Sequence, residues 1–464
     1  MIAEPRYKLL TTQYYKVLGG FFMGLLVLFL ASLVLHSAKL SVSLFCVLAA
    51  YMTSVTFHLL TFTNIKRFGL KKSVLLFRIK NRLEIQLLDA RIFVERRIFS
   101  NEDVCFVKVP RITIYMNDDF NSGYIEIENT IKFNTKLAEL DVSASLFNFV
   151  SEEQVFEKDM NTLRIRISNS TFDRSLKFRS INEFIDFWRK SEDHRYRLFI
   201  DKELTLKRSS ILVVGRSGSG KSYFLYSLIL EAIMSAGTKN LWLLDPKNSS
   251  IAQIGKHFNS ERYAGNNEDI LVKLEEIYNL TMNRKEEIEP LMKRGLDKDY
   301  SSFGLAPITV VFDEFASFRS WLNTQPKEKQ NLALKTINTI ILEGRQIGVH
   351  LVMALQKSDA QILPTHLREN FLFSVVLGSS GEQTYVTAFG QEIASSIPKR
   401  DIELGTGWYI TASSSVAKIM SAPVLDFEIF EGIEKLLNII KAQKKGCSIV
   451  TAMATPSFSL MATK

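Results

Sequence analysis

One short segment restricts the fold of this chain more than any other feature. A continuous apolar run at Ser210 to Val214 leads directly into GRSGSGKS, residues 215–222, and a helical pattern, YFLYSLILEAIM, follows. The spacing G-x-x-x-x-G-K-[ST] between a buried strand and a helix is typical of a phosphate-binding loop. The pattern therefore predicts an α/β fold in which this loop binds the phosphates of a nucleotide.

The residue types of this loop suit a triphosphate. Glycines let successive backbone N–H groups turn towards the phosphates, and the helix N-terminus adds partial positive charge. We expect Lys221 to reach the β and γ phosphates of ATP and the Ser222 hydroxyl to ligate Mg²⁺. The predicted nucleotide-binding residues are Gly215, Arg216, Ser217, Gly218, Ser219, Gly220, Lys221 and Ser222.

A second apolar strand, ITVVFDE at Ile308 to Glu314, ends in two carboxylates. We expect Asp313 to coordinate the Mg²⁺ ion and Glu314 to polarise the attacking water as general base. The alternative is a strand that merely ends in two acids at a turn.

Four more apolar runs in the chain are also typical of buried strands. They are LWLLD ending at Asp245, HLVMALQ ending at Gln356, FSVVLG ending at Gly378, and GWYIT at residues 407–411. Helical patterns around Glu268 to Lys293 and Lys329 to Arg345 separate them. This alternation predicts a RecA-like P-loop NTPase with a doubly wound parallel sheet, at residues 196–440.

The N-terminal region predicts a membrane anchor. Residues 1–72 carry eight basic groups and one acid, and the stretches Val17 to Leu35 and Leu40 to Phe62 have no charge. Each is long enough to span a bilayer as a helix, so residues 1–63 are predicted to form a transmembrane hairpin in the cell membrane. The flanking Lys and Arg residues place both termini in the cytoplasm. A cleaved signal peptide is the alternative for the first stretch.

The remaining segments carry no catalytic pattern. Residues 64–100 are predicted to form a basic juxtamembrane helical stalk that either rests on anionic lipid or is simply solvated. Alternating apolar runs predict a small membrane-proximal α+β domain at 101–195, with one helix around Lys136 to Phe149. Residues 441–464 are predicted to be a disordered tail. The three cysteines are too scattered for a disulfide framework or a structural metal site.

Five stretches of this chain resemble the FtsK/SpoIIIE class of DNA-translocating ATPases. They are GRSGSGKS, LLDPKNSS, VVFDEFASF, GRQIGVHLVMALQ and LRENFLFSVVLGSSGEQ, spread over approximately residues 200–425. These motifs are most similar to those of the membrane-bound coupling proteins of Gram-positive integrative conjugative elements. One departure is Gln356-Lys357-Ser358, where the family often has Gln-Arg-Pro.

The resemblance implies roles for three more residues. The Asp245-Pro246-Lys247 corner matches the second strand end of the family, which places Lys247 within reach of the nucleotide or of a neighbouring subunit. Gln356 corresponds to a sensor of the γ phosphate, and Arg345 to an arginine finger that enters the site of a neighbouring subunit. Arg345 has an alternative explanation, because a basic residue in the last turn of a helix that stops at Gly348 interacts favourably with the helix dipole.

The resemblance also implies an activity and partners. We expect a membrane-anchored ATPase that acts as a homo-oligomer, a hexamer, and pumps DNA through the ring lumen by sequence-independent phosphate contacts. A relaxase and the proteins of a conjugation channel are the expected partners. Two alternatives stay open: a protein-export motor related to type VII secretion, and a docking scaffold that nucleotide only orders.

Overall fold

The protein is described by a computed structural model that covers residues 6–9, 20, 22–24, 26–28, 30, 42, 44–51, 65–95, 104–293, 298–356, 362–395, 397, 402–414 and 416–453. The chain divides into two compact units, Met1–Phe172 and Asp173–Lys464. Each unit is described by itself below.

The first unit is built on a four-stranded antiparallel sheet. Its elements are β1 (Arg6–Leu9), α1 (Ile65–Asp89), β2 (Val94–Glu95), β3 (Val104–Lys108), β4 (Ile112–Met116), β5 (Ser122–Glu128), α2 (Asn134–Ala138), β6 (Phe149–Phe156) and β7 (Thr162–Asn169). The four strands run in the order β4-β5-β7-β6, and β1-β3-β2 form a smaller sheet. The α+β class predicted for this region is what the structure has.

The predicted stalk helix is part of the core of the first unit. Leu76, Ile79, Leu83 and Leu87 fall on one face of α1 and are buried in the same apolar cluster as strand residues such as Ile125. The helix is interrupted at Gly69, whose backbone is not helical. Helix α1 lies within the stalk predicted at 64–100, and its apolar face covers the sheet, so this helix belongs to the first unit.

The helix predicted around Lys136 to Phe149 ends at Ala138, and the prediction is wrong beyond that residue. The structure has α2 and one 3₁₀ turn, Ser143–Ser145, in its place. The Asp141 carboxylate accepts a hydrogen bond of 2.9 Å from the Ser143 N–H. Such local bonds from an Asp side chain compete with helix continuation, which explains the interruption.

The second unit contains the phosphate-binding segment and an eight-stranded sheet. Before the sheet come β8 (Lys177–Phe178), α3 (Ile181–Lys190), β9 (Arg197–Phe199) and β10 (Thr205–Lys207). The rest of the unit consists of β11 (Ile211–Gly215), α4 (Lys221–Ala236), β12 (Leu241–Leu244), α5 (Ser250–Phe258), β13 (Tyr263–Ala264), α6 (Asn267–Met292), β14 (Ile308–Phe312), α7 (Phe315–Leu322), α8 (Lys327–Ile347), β15 (Val349–Leu355), α9 (Thr365–Arg368), β16 (Phe373–Leu377), α10 (Glu382–Phe389), α11 (Gln391–Ser395), β17 (Thr406–Thr411), β18 (Lys418–Ser421), β19 (Val424–Leu425) and α12 (Ile429–Met453).

The boundary between the units lies earlier than the sequence predicts, between Phe172 and Asp173 rather than at 195/196. Helix α3 explains the difference. Its residues Phe184 and Trp188 are buried in the same cluster as Phe224 of α4. Their contribution to this core joins residues 173–195 to the second unit.

The large sheet is mixed rather than purely parallel. Its strand order is β13-β12-β14-β15-β11-β16-β17-β18, and the pairings from β13 to β16 are parallel. Strand β17 pairs antiparallel with β16, and β18 pairs antiparallel with β17. The link between β17 and β18 is too short for a crossover, so these two strands cannot be parallel. The α/β P-loop class is confirmed, and the fully parallel sheet is corrected.

The strand order determines which loops meet. Strands β11, β14 and β15 are fully buried, as expected for parallel strands covered on both faces. In parallel strands the carboxyl ends lie at the same edge, and ligands of open α/β sheets bind there. The loops that follow β11, β12, β14 and β16 therefore lie side by side at this edge.

The C-terminal helix α12 extends through part of the predicted tail. Its backbone is helical from Ile429 to Met453, whereas a disordered tail was expected from residue 441. Ile433 and Leu436 are buried in the core that also holds α3. Residues 454–464 of the predicted tail lie outside the described residues.

Most of the two predicted transmembrane stretches, 17–35 and 40–62, also lies outside the described residues. Among the residues that are described, no helix combines the length and the apolar character needed to cross a bilayer.

A buried polar cluster lies at the amino edge of the large sheet, opposite the phosphate-binding loop. The His350 Nε2 atom of β15 lies 3.1 Å from the Tyr300 hydroxyl. Burial lowers the pKa of His350 to about 3, and the Arg208 guanidinium and the Lys207 ammonium act in the same direction, whereas Asp299 opposes them. The imidazole is therefore neutral in the folded protein at ordinary pH.

This cluster predicts a pH dependence of stability. The unfolded chain protonates His350 near pH 6.5 and the folded chain only near pH 3, so the free energy of unfolding falls as pH drops through this window. The loss is at most about 1.4 kcal/mol per pH unit. We expect the midpoint of thermal unfolding to fall less steeply between pH 7 and pH 5 in His350→Gln than in the unsubstituted protein. Equal slopes would contradict this assignment.

Candidate nucleotide-binding site

The loop between β11 and α4 has the backbone that its glycines require. Gly218 and Gly220 adopt φ angles of +81° and +92°, in the left-handed region that favours glycine. The Ser219 N–H donates to the Arg216 carbonyl over 3.1 Å, which closes the turn. Lys221 then begins α4. The loop thus curls over the N-terminus of a helix, the geometry that receives phosphate.

The loop is supported by two glycines that the sequence patterns did not single out as site residues. The Gly405 N–H donates to the Ser219 carbonyl over 3.1 Å. A Cβ atom on Gly220 would lie only 2.8 Å from the Gly405 Cα atom, and one on Gly378 would lie 3.0 Å from the Ser219 Cβ atom. The end of β16 and the start of β17 therefore pack directly against the phosphate-binding loop.

The acidic pair at the end of β14 faces the same loop. The Lys221 Nζ atom donates to Asp313 Oδ1 over 3.1 Å and lies 3.6 Å from Glu314 Oε2. The three side chains are only 10%, 13% and 8% exposed, respectively. The structure thus brings Lys221, Asp313 and Glu314 together at one largely buried position, as the sequence predicts.

The backbone fixes where the two acids point. The Asp313 N–H donates to the Leu244 carbonyl over 2.9 Å, so the pairing with β12 continues past the end of β14. Glu314 has φ 49° and ψ 47°, a left-handed conformation that costs a non-glycine residue free energy. Its N–H donates to Asp313 Oδ1 over 2.9 Å. The strand therefore ends in a sharp turn that presents both carboxylates to Lys221.

A second lysine reaches this cluster from the end of β12. The Lys247 Nζ atom lies 3.6 Å from Glu314 Oε1. The resemblance implies that Lys247, in the Asp245-Pro246-Lys247 corner, reaches nucleotide or a neighbouring subunit, but it does not imply the contact with Glu314. The contact could be predicted only by knowing that β12 pairs with β14. This pairing is a property of the tertiary fold.

Of the other predicted site residues, Ser222 and Gln356 lie at the same edge of the sheet as this cluster, and Arg345 does not. Ser222 is exposed in the first turn of α4, directly after Lys221. Gln356 is exposed and follows β15, which lies between β14 and β11, and the register places it beside Gly215. Arg345 is exposed in the last turn of α8, just before β15 begins. It lies at the opposite edge of the sheet and does not join the site of its own chain.

The donor set fits Mg²⁺ together with a triphosphate. Mg²⁺ is usually bound by one or two protein oxygens plus phosphate oxygens and water. The Asp313 carboxylate and the Ser222 hydroxyl, at the mouth of the loop, are donors of this kind. In the part of the chain that the structure describes, no group of three or more His, Cys, Asp or Glu side chains is placed to hold a metal ion. The predicted roles of these residues in binding and catalysis stay predictions.

Comparison with known proteins identifies the family that this region resembles. The model of the FtsK/SpoIIIE family matches residues 189–303, which include the phosphate-binding loop. This match confirms the resemblance predicted from the motifs.

Two curated relatives match about half of this chain. The Ftsk domain-containing protein YdcQ of Bacillus subtilis (strain 168) is 29% identical over 215 residues, 46% of this chain and 43% of the relative. The DNA translocase FtsK of Borreliella burgdorferi is 23% identical over 45% of this chain and 29% of the relative. The chain thus spans less than half the length of the curated relatives it matches.

Two solved structures that match parts of this chain come from transfer and secretion systems. A monomeric form of the pCW3 conjugation coupling protein TcpA with ATPγS has 14% identity and a TM-score of 0.46, over 77% of this chain and 99% of that chain. The cytoplasmic domain of the Thermomonospora curvata type VII secretion ATPase EccC has 20% identity and a TM-score of 0.37, over 51% of this chain and 29% of that chain.

The contact between Gly220 and Gly405 predicts a binding defect. We expect Gly220→Ala to weaken the binding of a fluorescent ATP analogue roughly 5- to 150-fold, because strain of about 1–3 kcal/mol would displace the loop. Gly237→Ala is the matched control. Gly237 also has a positive φ, but it follows the far end of α4 and a Cβ there meets nothing within 4 Å. Equal affinity of both variants and the unsubstituted protein would refute the role of this contact.

Proposed function

We propose that this protein is an ATP-hydrolysing DNA translocase that is anchored in the cell membrane and acts as a conjugative coupling protein. The observation that carries the enzymatic part is the 3.1 Å contact of Lys221 with Asp313, with Glu314 alongside. A phosphate-binding lysine and two carboxylates at the same edge of the sheet are the parts needed to bind and cleave a triphosphate.

The proposed hydrolysis uses the groups at this edge of the sheet. The loop N–H groups and Lys221 would bind the β and γ phosphates, while Ser222 and Asp313 would hold Mg²⁺, which when bound neutralises phosphate charge. Glu314 would accept a proton from the attacking water, whose oxygen forms the new bond to the γ phosphorus. The bond between the γ phosphorus and the β–γ bridging oxygen breaks, and ADP leaves.

Arg345 and Gln356 extend this proposal to an oligomer. Arg345 is exposed at the edge of the sheet away from its own phosphate-binding loop. In a ring of subunits, a hexamer by resemblance, it would serve as the finger for a neighbouring site. Gln356, which lies in register beside Gly215, would sense the γ phosphate and relay its loss to the loop that follows.

DNA as the moved substrate is supported by sequence similarity. One relative, 23% identical over 45% of this chain, is named as the DNA translocase FtsK. We propose that DNA passes through the ring lumen and is held through its phosphates, so that binding weakens with salt. The proposed conjugative role, with a relaxase and channel proteins as partners, rests on the five stretches that resemble motifs of conjugative coupling proteins.

Attachment to the membrane is the part of the proposal that the N-terminal sequence supports. The two uncharged stretches have the length of bilayer spans, and the Lys and Arg residues beside them favour cytoplasmic termini. The ATPase unit would then hang from the inner face of the membrane.

The steady-state ATPase rate of the purified full chain tests the proposal. We expect hydrolysis that double- or single-stranded DNA stimulates several-fold at low salt, and that loses this stimulation as salt rises, because phosphate contacts release counterions. Hydrolysis that DNA does not change would favour a protein-export motor. ATP binding without hydrolysis would favour a docking scaffold.

Two carboxamide variants complete this experiment. Glu314→Gln should keep ATP affinity but lose roughly 10²- to 10⁴-fold in rate, the usual effect of removing a general base. Glu275→Gln, at an exposed position on α6, removes the same charge away from the site and should leave the rate unchanged.

A further inference from the structure

Lys247 is a charged group beside the site to which the mechanism above gives no role. Its Nζ atom lies 3.6 Å from Glu314 Oε1, while the Lys221 Nζ atom lies 3.6 Å from Glu314 Oε2. Each oxygen of this carboxylate therefore faces one ammonium group. The Glu314 side chain is 8% exposed, and a carboxylate buried to that extent needs such partners.

The turn that carries Lys247 is built around a buried acid. Asp245 is fully buried and its carboxylate accepts hydrogen bonds from the backbone N–H of Lys247 over 3.0 Å and of Ser249 over 2.7 Å. It also accepts one from the Ser249 hydroxyl. Hydrogen bonds to an ionised acceptor are stronger than neutral ones. Asp245 thus fixes the backbone from which the Lys247 side chain extends.

This turn and Glu314 belong to neighbouring strands. Leu244 pairs with Phe312 in the parallel ladder of β12 and β14. The bond from the Asp313 N–H to the Leu244 carbonyl extends this ladder to the edge. The ladder therefore fixes the backbone near Lys247 relative to that of Glu314. Both residues lie within three positions of the paired strands, so no long loop separates their side chains from the sheet.

ATP binding would redistribute these contacts. Lys221 lies on the phosphate-binding loop, so a bound triphosphate would draw its ammonium group away from the two acids. Glu314 would then lose the partner of its Oε2 atom. Lys247 lies on another strand, its side chain is 47% exposed, and the contact with Oε1 would remain.

We propose that Lys247 is a positioning residue, which holds the Glu314 carboxylate in place for activation of the attacking water. This inference rests on the proposed ATPase function and adds a residue to it. Lys247 acts through Glu314 and not on the phosphates. Its loss should therefore slow the chemical step and leave nucleotide affinity unchanged, since a small misplacement of a catalytic group can cost up to roughly 100-fold in rate.

The test compares lysine variants of the full chain by kcat and KM for ATP. Lys247→Met keeps the length of the side chain and removes the charge, and Lys247→Arg keeps the charge. Lys256→Met is the matched control, because Lys256 is exposed in the last turn of α5, the helix that follows the Asp245 turn. Binding of a fluorescent ATP analogue and thermal unfolding report whether each variant is folded.

We expect Lys247→Met to lower kcat at least tenfold with KM within twofold, Lys247→Arg to restore most of the rate, and Lys256→Met to match the unsubstituted protein. An unchanged or raised kcat in Lys247→Met would overturn the proposal, and so would a tenfold rise in KM at constant kcat. If the unsubstituted protein hydrolyses no ATP, the proposed function itself fails and the role of Lys247 fails with it.

A double-mutant cycle separates action through Glu314 from an independent effect. If Lys247 acts by positioning Glu314, then Lys247→Met should add no further loss to the single-turnover rate of Glu314→Gln. Losses that multiply in the double variant would overturn the proposal even where each single variant is slow.

Discussion

The contact of Lys221 with Asp313 and Glu314 is the interaction on which the rest of the site depends. Two carboxylates lie side by side at a position that is nearly closed to solvent, and their charges have to be balanced there. Lys221 and Lys247 supply that balance. The same requirement explains how the site would respond to a triphosphate, because Lys221 cannot serve the acids and the phosphates equally well at once.

The large sheet makes this contact possible. Strands β14, β15 and β11 are neighbours, so the loop after β11 and the acids after β14 lie at one edge with a single strand between them. The antiparallel strands β17 and β18 form the far end of the sheet, and the start of β17 supports the loop through Gly405. The mixed sheet is therefore part of the site, since its antiparallel extension restrains the phosphate-binding loop.

The sequence predicts the parts of the site that are carried by short local patterns. GRSGSGKS and ITVVFDE contain the loop, the lysine and both acids, and the α/β class follows from alternating strands and helices. It does not predict the contact of Gly405 with the loop or that of Lys247 with Glu314, because each contact joins segments that are distant in the chain. The sequence also does not show that helix α1 packs on the sheet, although Leu76, Ile79, Leu83 and Leu87 have the spacing of an apolar helix face. The roles proposed for Arg345 and Gln356 involve a neighbouring subunit and bound nucleotide, and neither is part of the contacts within one chain.

The structure of the protein with a non-hydrolysable ATP analogue and Mg²⁺ tests the central claim most directly. The account predicts that the Lys221 Nζ atom leaves Asp313 and lies within hydrogen-bond distance of the β and γ phosphates, while Asp313 faces the ion. A triphosphate bound elsewhere, or a Lys221–Asp313 contact that stays at 3.1 Å beside a bound nucleotide, would contradict it.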